Sequence, residues 1–229
     1  MRRLLNIAAA AALASLGSVH ANQITQTNNV SPLDLDFDPV PMLSFGKFNP
    51  VLGTLNFVEL TLQGTVAGDI QAENRSTGSG STITGQLSAI LTLQSPLNAP
   101  LVVTIPTQTE QYIAARYDNQ FDFGGTSGVS WLNQSKTDSN SAVIDSSSPA
   151  DFNLFIGPGN IVLPLSGIGN TVVSFNGGGG FTRITSQAFG SATITYDYTP
   201  SSPVPEPETW ALMAAGLWVV CWLRARRRA

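Results

Sequence analysis

Apolar and polar side chains alternate strictly along residues 58–63. Val58, Leu60 and Leu62 share one face, and Glu59, Thr61 and Gln63 share the other. The same period of two returns at 82–93. There Ile83, Gly85, Leu87, Ala89, Leu91 and Leu93 oppose Thr82, Thr84, Gln86, Ser88 and Thr92, with Ile90 as the exception. It returns again where Ala192, Ile194, Tyr196 and Tyr198 oppose Thr193, Thr195, Asp197 and Thr199. Successive side chains of a strand point to opposite sides, so each stretch predicts a strand covering a core with one face. Shorter apolar runs at 66–72, 101–105, 161–165 and 171–175 predict further strands. Polar or Gly-rich breaks at 74–81, 124–128, 145–150 and 157–160 separate them. Helix formers are scarce and β formers are spread throughout. The pattern predicts an all-β fold, an antiparallel β-sandwich of eight or more strands. Gly177 to Gly180 lack the Lys-Ser/Thr of a phosphate loop and read as a flexible hairpin turn.

The two ends of the chain follow other rules. Arg2 and Arg3 precede an apolar run, and Val19-His20-Ala21 places small residues before a cut between Ala21 and Asn22. Residues 1–21 therefore read as a secretory signal peptide. At the other end a Pro- and Ser-rich stretch, 200–207, closes on Pro205-Glu206-Pro207 and reads as a stiff, extended linker. An apolar segment follows from Trp210 to Leu223, and then the basic residues Arg224, Arg226, Arg227 and Arg228. A helix of those apolar residues is only ~21 Å long, against a hydrocarbon core of ~30 Å. That makes it a marginal membrane span, helped by snorkelling arginines and by Trp210 and Trp222 near its ends. The positive-inside rule holds the arginines in the cytoplasm and places the body outside. The expected organisation is a signal peptide at 1–21, a β-sandwich at 22–199, the linker at 200–207 and a C-terminal membrane segment at 208–229.

Charge and residue counts narrow the chemistry. Residues 22–204 hold five basic and 13 acidic residues, a net charge of −8. Nucleic-acid binding rests on clustered Lys and Arg, so a nucleic-acid partner is not expected. The one Cys is Cys221 in the tail, and the one His is His20 in the signal peptide. The body between them has no means of forming a disulfide, a Cys nucleophile, a Ser-His-Asp triad or a His/Cys zinc site. No cofactor is expected. Carboxylate-based glycosidase chemistry stays open, since it needs neither residue.

Three constellations could carry chemistry. Alternation through Asp34-Leu35-Asp36-Phe37-Asp38 puts three carboxylates on one strand face, as a Ca²⁺ site or, more plainly, as a charged edge strand. Asp118 and Asp122, with Tyr117, Phe121 and Phe123, either line a carbohydrate groove or form an ordinary strand with Phe in the core. Trp131, the one Trp of the body, is a core anchor or an exposed contact. Asn74-Arg75-Ser76 and Asn133-Gln134-Ser135 match the glycosylation sequon, and the Ser/Thr clusters at 76–84 and 139–148 read as solvated loops.

The tail resembles the PEP-CTERM family of bacterial sorting signals. The resemblance rests on Pro205-Glu206-Pro207, Thr209-Trp210-Ala211-Leu212, the small pair Ala215-Gly216 and the terminal arginines. It implies a Gram-negative bacterium and a membrane transpeptidase, an exosortase, that cuts the tail. Residues 45–55 with 58–62, and the ending Ile194-Thr195-Tyr196-Asp197-Tyr198-Thr199-Pro200, resemble the choice-of-anchor E domain of surface proteins, which brings no catalytic residues. The expectation is an exported, non-enzymic protein of the envelope or extracellular matrix, structural or adhesive, first tethered to the inner membrane. Its expected partners are signal peptidase, an exosortase, the membrane and extracellular polysaccharide. The alternative is a secreted carbohydrate-binding or carboxylate-based carbohydrate-active protein.

Overall fold

A computed structural model describes residues 22–201 and 207–226. The chain forms β1 (Asn22–Asp34), β2 (Met42–Gly46), β3 (Gly53–Asn74), β4 (Ser81–Gln94) and β5 (Pro100–Thr104). It continues through β6 (Thr107–Ala114), β7 (Gly128–Asp145), the short α1 (Pro149–Phe152), β8 (Asn160–Gly169), β9 (Val172–Phe175) and β10 (Gly180–Pro200). The last element is the helix α2 (Pro207–Arg226). The strands make two antiparallel sheets, as the alternation predicts. One has the order β1-β10-β3-β7; the other has six strands built around β4.

The strictly alternating segments supply the facing walls. Val58, Leu60 and Leu62 of β3 meet Leu87, Ala89, Leu91 and Leu93 of β4 and Ala192, Ile194 and Tyr196 of β10 in one buried cluster. Each apolar side chain of that size contributes ~1.5–3 kcal/mol when fully buried. β3 pairs with β10 from Gly53 to Asn74, so the two stretches at 58–62 and 66–72 are one strand. Gly64 lies at its middle because sheet packing leaves no room there. A Cβ would stand 2.7 Å from Thr104 Cγ2 and 2.9 Å from Leu91 Cδ1. Trp131 is an anchor between the two hydrophobic clusters, and Gly85 admits its ring, since a Cβ would lie 2.7 Å from it.

β4 divides into two halves. Its first half pairs with β6 and β9, and its second with β5 and β8. Ser88 stands at the change of partner, 1% exposed, with its N–H donating to Thr171 Oγ1 and its hydroxyl bonded to Thr107 Oγ1. This burial on the polar face departs from simple alternation, and the hydroxyl pair satisfies it.

Both edges of the sandwich are closed by polar side chains. On one edge the Gln26 amide donates to Gly46 O and accepts from Gly46 N, at 2.9 and 2.7 Å, and Asn28 Nδ2 donates to Ser44 O. Gln26 and Asn28 of β1 thus mimic strand pairing with β2 in the other sheet. On the opposite edge Asn140 Nδ2 donates to Val103 O, and Asp138 Oδ2 accepts from Thr104 Oγ1. Inward positions on β1 and β7 thus mix these polar residues with Ile24, Val30, Trp131, Ala142 and Ile144, so neither strand shows an unbroken apolar period.

Four local expectations are corrected. Residues 139–145 belong to β7 and are not a loop. Gly177–Gly179 lie in a crossover between sheets, because β9 pairs with β4 and not with β10. Asp197 is buried, because Asn56 bulges out of the ladder and donates to Asp197 Oδ1 at 2.7 Å. The carboxylates of Asp34, Asp36 and Asp38 do not share a strand face. β1 ends at Asp34, Asp36 takes φ 64°, and Phe37 turns into the core beside Gly167. Asp36 Oδ1 accepts from Gly169 N instead.

Tyr196 crosses between the sheets at the edge, 1% exposed, and its hydroxyl donates to Gly46 O at 2.8 Å. Burial pushes its pKa up to about 12. The unfolded chain then ionises this group near its ordinary value of 10.0, before the folded chain does. Its contribution to stability is complete below that value and is lost as pH climbs through about 12. In a Tyr196→Phe variant the alkaline loss of stability between those two values should be shallower than in the wild type. Denaturant midpoints measured across the range check this.

Candidate functional site

The end of the sandwich formed by the last residues of β3 and the first of β10 is the most elaborately built region. Three segments meet there: 75–80 after β3, 115–127 between β6 and β7, and 177–179 before β10. Asn74 ties them together. Its Nδ2 donates to Ser79 O and to Ala115 O, and its Oδ1 accepts from Ser76 N. Its own N–H donates to Ser127 O, and the next N–H, of Arg75, donates to Gly179 O. Asn74 is fully buried, so the sequon reading at this position gives way to a structural one. Asn133, the other sequon residue, holds a bulge in β7 at φ 55° and donates its N–H to Asp69 Oδ1.

Glu73 lies under the 115–127 loop and is likewise fully buried. Its Oε1 accepts from Ser127 Oγ, and its Oε2 has no partner among the described residues. Gly128 faces this carboxylate, and a Cβ there would collide with Oε2 and with Gly124 N. Asp118 and Asp122 shape the loop from outside. Asp118 Oδ1 accepts from Gln120 N, and Asp122 Oδ1 accepts from Gly124 N, both across two residues. These are Asx-type turns, so the two carboxylates brace the loop.

The loop is not a strand, and its Phe residues do not enter the core. Phe121 is 50% exposed and packs against Phe123 at 4.9 Å and edge-on against Phe181 at 5.4 Å between ring centroids. The Arg75 guanidinium stands over Tyr117, Phe181 and Phe121 at 4.7, 5.2 and 5.4 Å from the ring centroids. The sequence pattern grouped Tyr117, Phe121 and Phe123. Arg75, the first residue after β3, and Phe181, in β10, were missed because they are remote in sequence, and only the β3–β10 register brings them in.

A second concavity, of about 650 Å³, lies on the outer face of the four-stranded sheet and includes Asp34, Asp69, Asn133, Thr185 and Gln187. Both Asp69 oxygens are engaged, by Asn133 N and by Thr185 Oγ1. A smaller one, of about 450 Å³, holds Asp34, Asp36 and Asp38. Among the described residues no three His, Cys, Asp or Glu side chains form a group able to hold a metal. Asp145, exposed at the end of β7, has its pKa lowered by hydrogen bonds from the Ser147 side chain and then its backbone.

In the tail, Pro207 opens α2, which carries Trp210, Leu223, Arg224 and Arg226. Asn22 is the first residue of β1. Ala21, Pro205, Glu206, Arg227 and Arg228 lie outside the described residues. Among those described, no helix is long and apolar enough to cross a membrane. This corrects the expected transmembrane helix. α2 has 20 residues, but Pro207, Glu208, Arg224 and Arg226 occupy its ends, which leaves an apolar stretch of only 210–223 with Trp218 inside it. Trp222 lies 4.4 Å from the Arg226 guanidinium.

Residues 203–228 match the PEP-CTERM protein-sorting motif, which supports an exported protein sorted by an exosortase and anchored transiently at the membrane. The match covers the tail and not the β body. No curated protein matches the chain. Among solved structures the chain is similar to the IBDV viral particle, at 8% identity, with 80% of this chain and 41% of that chain covered and a TM-score of 0.13. It is similar also to a mutant VP2 protein of infectious bursal disease virus, at 9% identity, coverages of 80% and 42% and a TM-score of 0.13. A third is the Gx strain of that virus, at 7% identity, coverages of 86% and 49% and a TM-score of 0.11. The chain spans less than half the length of each, and likeness at these TM-scores carries no argument about it.

Replacing Ser127 by Ala should leave both Glu73 oxygens buried without a donor. The expected cost is about 1–3 kcal/mol, read as a melting midpoint several degrees lower.

Proposed function

We propose that the chain is an exported, non-enzymic protein of the cell envelope or extracellular matrix, structural or adhesive, released from a temporary tether by an exosortase. The PEP-CTERM match over 203–228 carries the reading. The short apolar segment adds to it, since α2 is a poor permanent span. So does the placement of the linker. β10 is paired up to Pro200, and Ser201 N still donates to Leu52 O, so the body ends abruptly at the linker that carries the motif. The body's resemblance to the choice-of-anchor E domain belongs to the same reading.

Non-enzymic status is supported by the chemistry of the body. Residues 22–204 contain neither His nor Cys, so acid–base work would fall on carboxylates. Asp69, which lines the larger concavity with Asp34, is already held by Asn133 N at the β7 bulge and by Thr185 Oγ1 of β10. One observation favours the alternative of a carbohydrate-binding protein: the exposed aromatic cluster around Arg75.

Mass spectrometry of the exported protein tests the release. In cells that contain the exosortase, the protein should end close to Pro205-Glu206-Pro207, and changing those three residues to alanines should trap it in the membrane with the β body folded. Recovery of 210–223 still joined to the exported body would overturn the release. Hydrolysis of a polysaccharide by the purified protein, abolished by replacing one Asp or Glu, would overturn the non-enzymic reading.

A further inference from the structure

β10 runs without interruption from the aromatic end of the sandwich to the linker. Its 21 residues span ~65 Å at the rise of an extended strand. Asn22, the first residue of β1, pairs with Tyr198, so it also lies at the linker end. Arg75, Tyr117, Phe121 and Phe181 thus occupy the pole farthest from the tail.

The pole has the features of a recognition surface. Phe121 and Phe181 are 50% and 54% exposed, although a monomer gains by burying rings of that size. Arg75 is exposed, and among the described residues its side chain has ring contacts and no hydrogen bond or ion pair. Three rings around a guanidinium restrict its orientation and leave the N–H edges free, so much of the ordering cost of binding is met in advance. A fixed planar fork of donors matches a carboxylate in two parallel bonds. Asp118 and Asp122 close turns in their own loop, and among the described residues neither makes an ion pair with Arg75. The cations are also unevenly placed. Of the five basic residues in 22–204, Arg75, Arg116 and Arg183 are at this pole, with Arg183 two residues along β10 from Phe181 on the same face. The frame beneath is rigid, tied by Asn74 and by Ser127 to Glu73.

We infer that this pole binds an acidic polysaccharide, with Arg75 taking the carboxylate of a uronic acid unit and Phe121 and Phe181 taking its apolar C–H face. One uronic acid unit offers both features at the spacing of a single residue, a carboxylate fixed beside a flat apolar ring face. A flexible acidic side chain carries only the first. The inference rests on the exported placement proposed above and gives it a ligand.

The test uses the mature protein as released by cells, with polygalacturonate and its fully methyl-esterified form as probes in affinity electrophoresis. The protein should be retarded by polygalacturonate and not by the ester, which keeps the ring and masks the charge. Arg75→Gln should weaken retardation by about tenfold, the order of one hydrogen bond to a charged group. Arg75→Lys should not restore it, because a point charge lacks the fork. Phe121→Ala and Phe181→Ala should each weaken it with the melting midpoint unchanged. Equal retardation by the ester would overturn the role of Arg75. Equal binding to polyglutamate would show an acidic-protein site and overturn the polysaccharide. A correctly exported and processed protein that binds neither probe would overturn this inference and leave the export reading intact. Failure of export would sink that reading instead. The ester comparison needs no variant, so misfolding of a substituted protein does not spare the inference.

Discussion

The ladder between β3 and β10 is the constraint on which the rest of the molecule depends. It pairs every residue from Gly180 to Pro200 with a stretch of β3, broken once by the Asn56 bulge. Because side chains alternate, that single register decides which residues enter the core along its full length. It sets Ile194 beside Leu60 and Ala192 beside Leu62 in the core, and Phe181 beside Glu73, which lies under the 115–127 loop. A slip of one position would expose the core face and separate Phe181 from Arg75. The aromatic pole is a consequence of this pairing more than of any local motif.

The core is a slab open at two edges, and nothing covalent closes it. Side-chain amides and one carboxylate take that role, at Gln26 and Asn28 on one side and at Asp138 and Asn140 on the other. Their geometry is that of backbone pairing transferred to side chains, so the sheets communicate without a shared strand. The abundance of Asn, Gln, Ser and Thr has this structural use in addition to solubility. Thr pairs extend it across the outer face, as between Thr27 and Thr193 and between Thr65 and Thr137.

The fold class and the central strands were legible because β3, β4 and β10 bury one face each and write that burial as alternation. β1 and β7 were not legible, because their inward positions include Gln26, Asn28, Asp138 and Asn140, whose burial is satisfied by hydrogen bonds and not by apolarity. The Asp34 to Asp38 pattern misled for a related reason. Two alternating apolar residues predict a strand, but a left-handed turn at Asp36 brings Phe37 to the core equally well. Of the candidate surface, the sequence offered Tyr117, Phe121 and Phe123 as neighbours. It had no local signal for Arg75 and Phe181, since long-range register placed them there. The sorting motif at 203–228 was readable, being defined by order and composition and not by packing, whereas the membrane-spanning helix expected with it was not found among the described residues.

The continuity of β10 has a mechanical consequence. Its first residues lie at the aromatic pole and its last residue joins the linker, so a pull between pole and tail runs along one backbone that is already extended. Traction entering at Phe181 is carried by covalent bonds from end to end. Traction entering at Arg75 passes from β3 to β10 as shear, shared by all the hydrogen bonds of their ladder together, whereas peeling would break them one after another. β1 grips the same strand from its other side, from Asp34 to Asn22. The body is thus built as a lap joint between what it touches and what holds it.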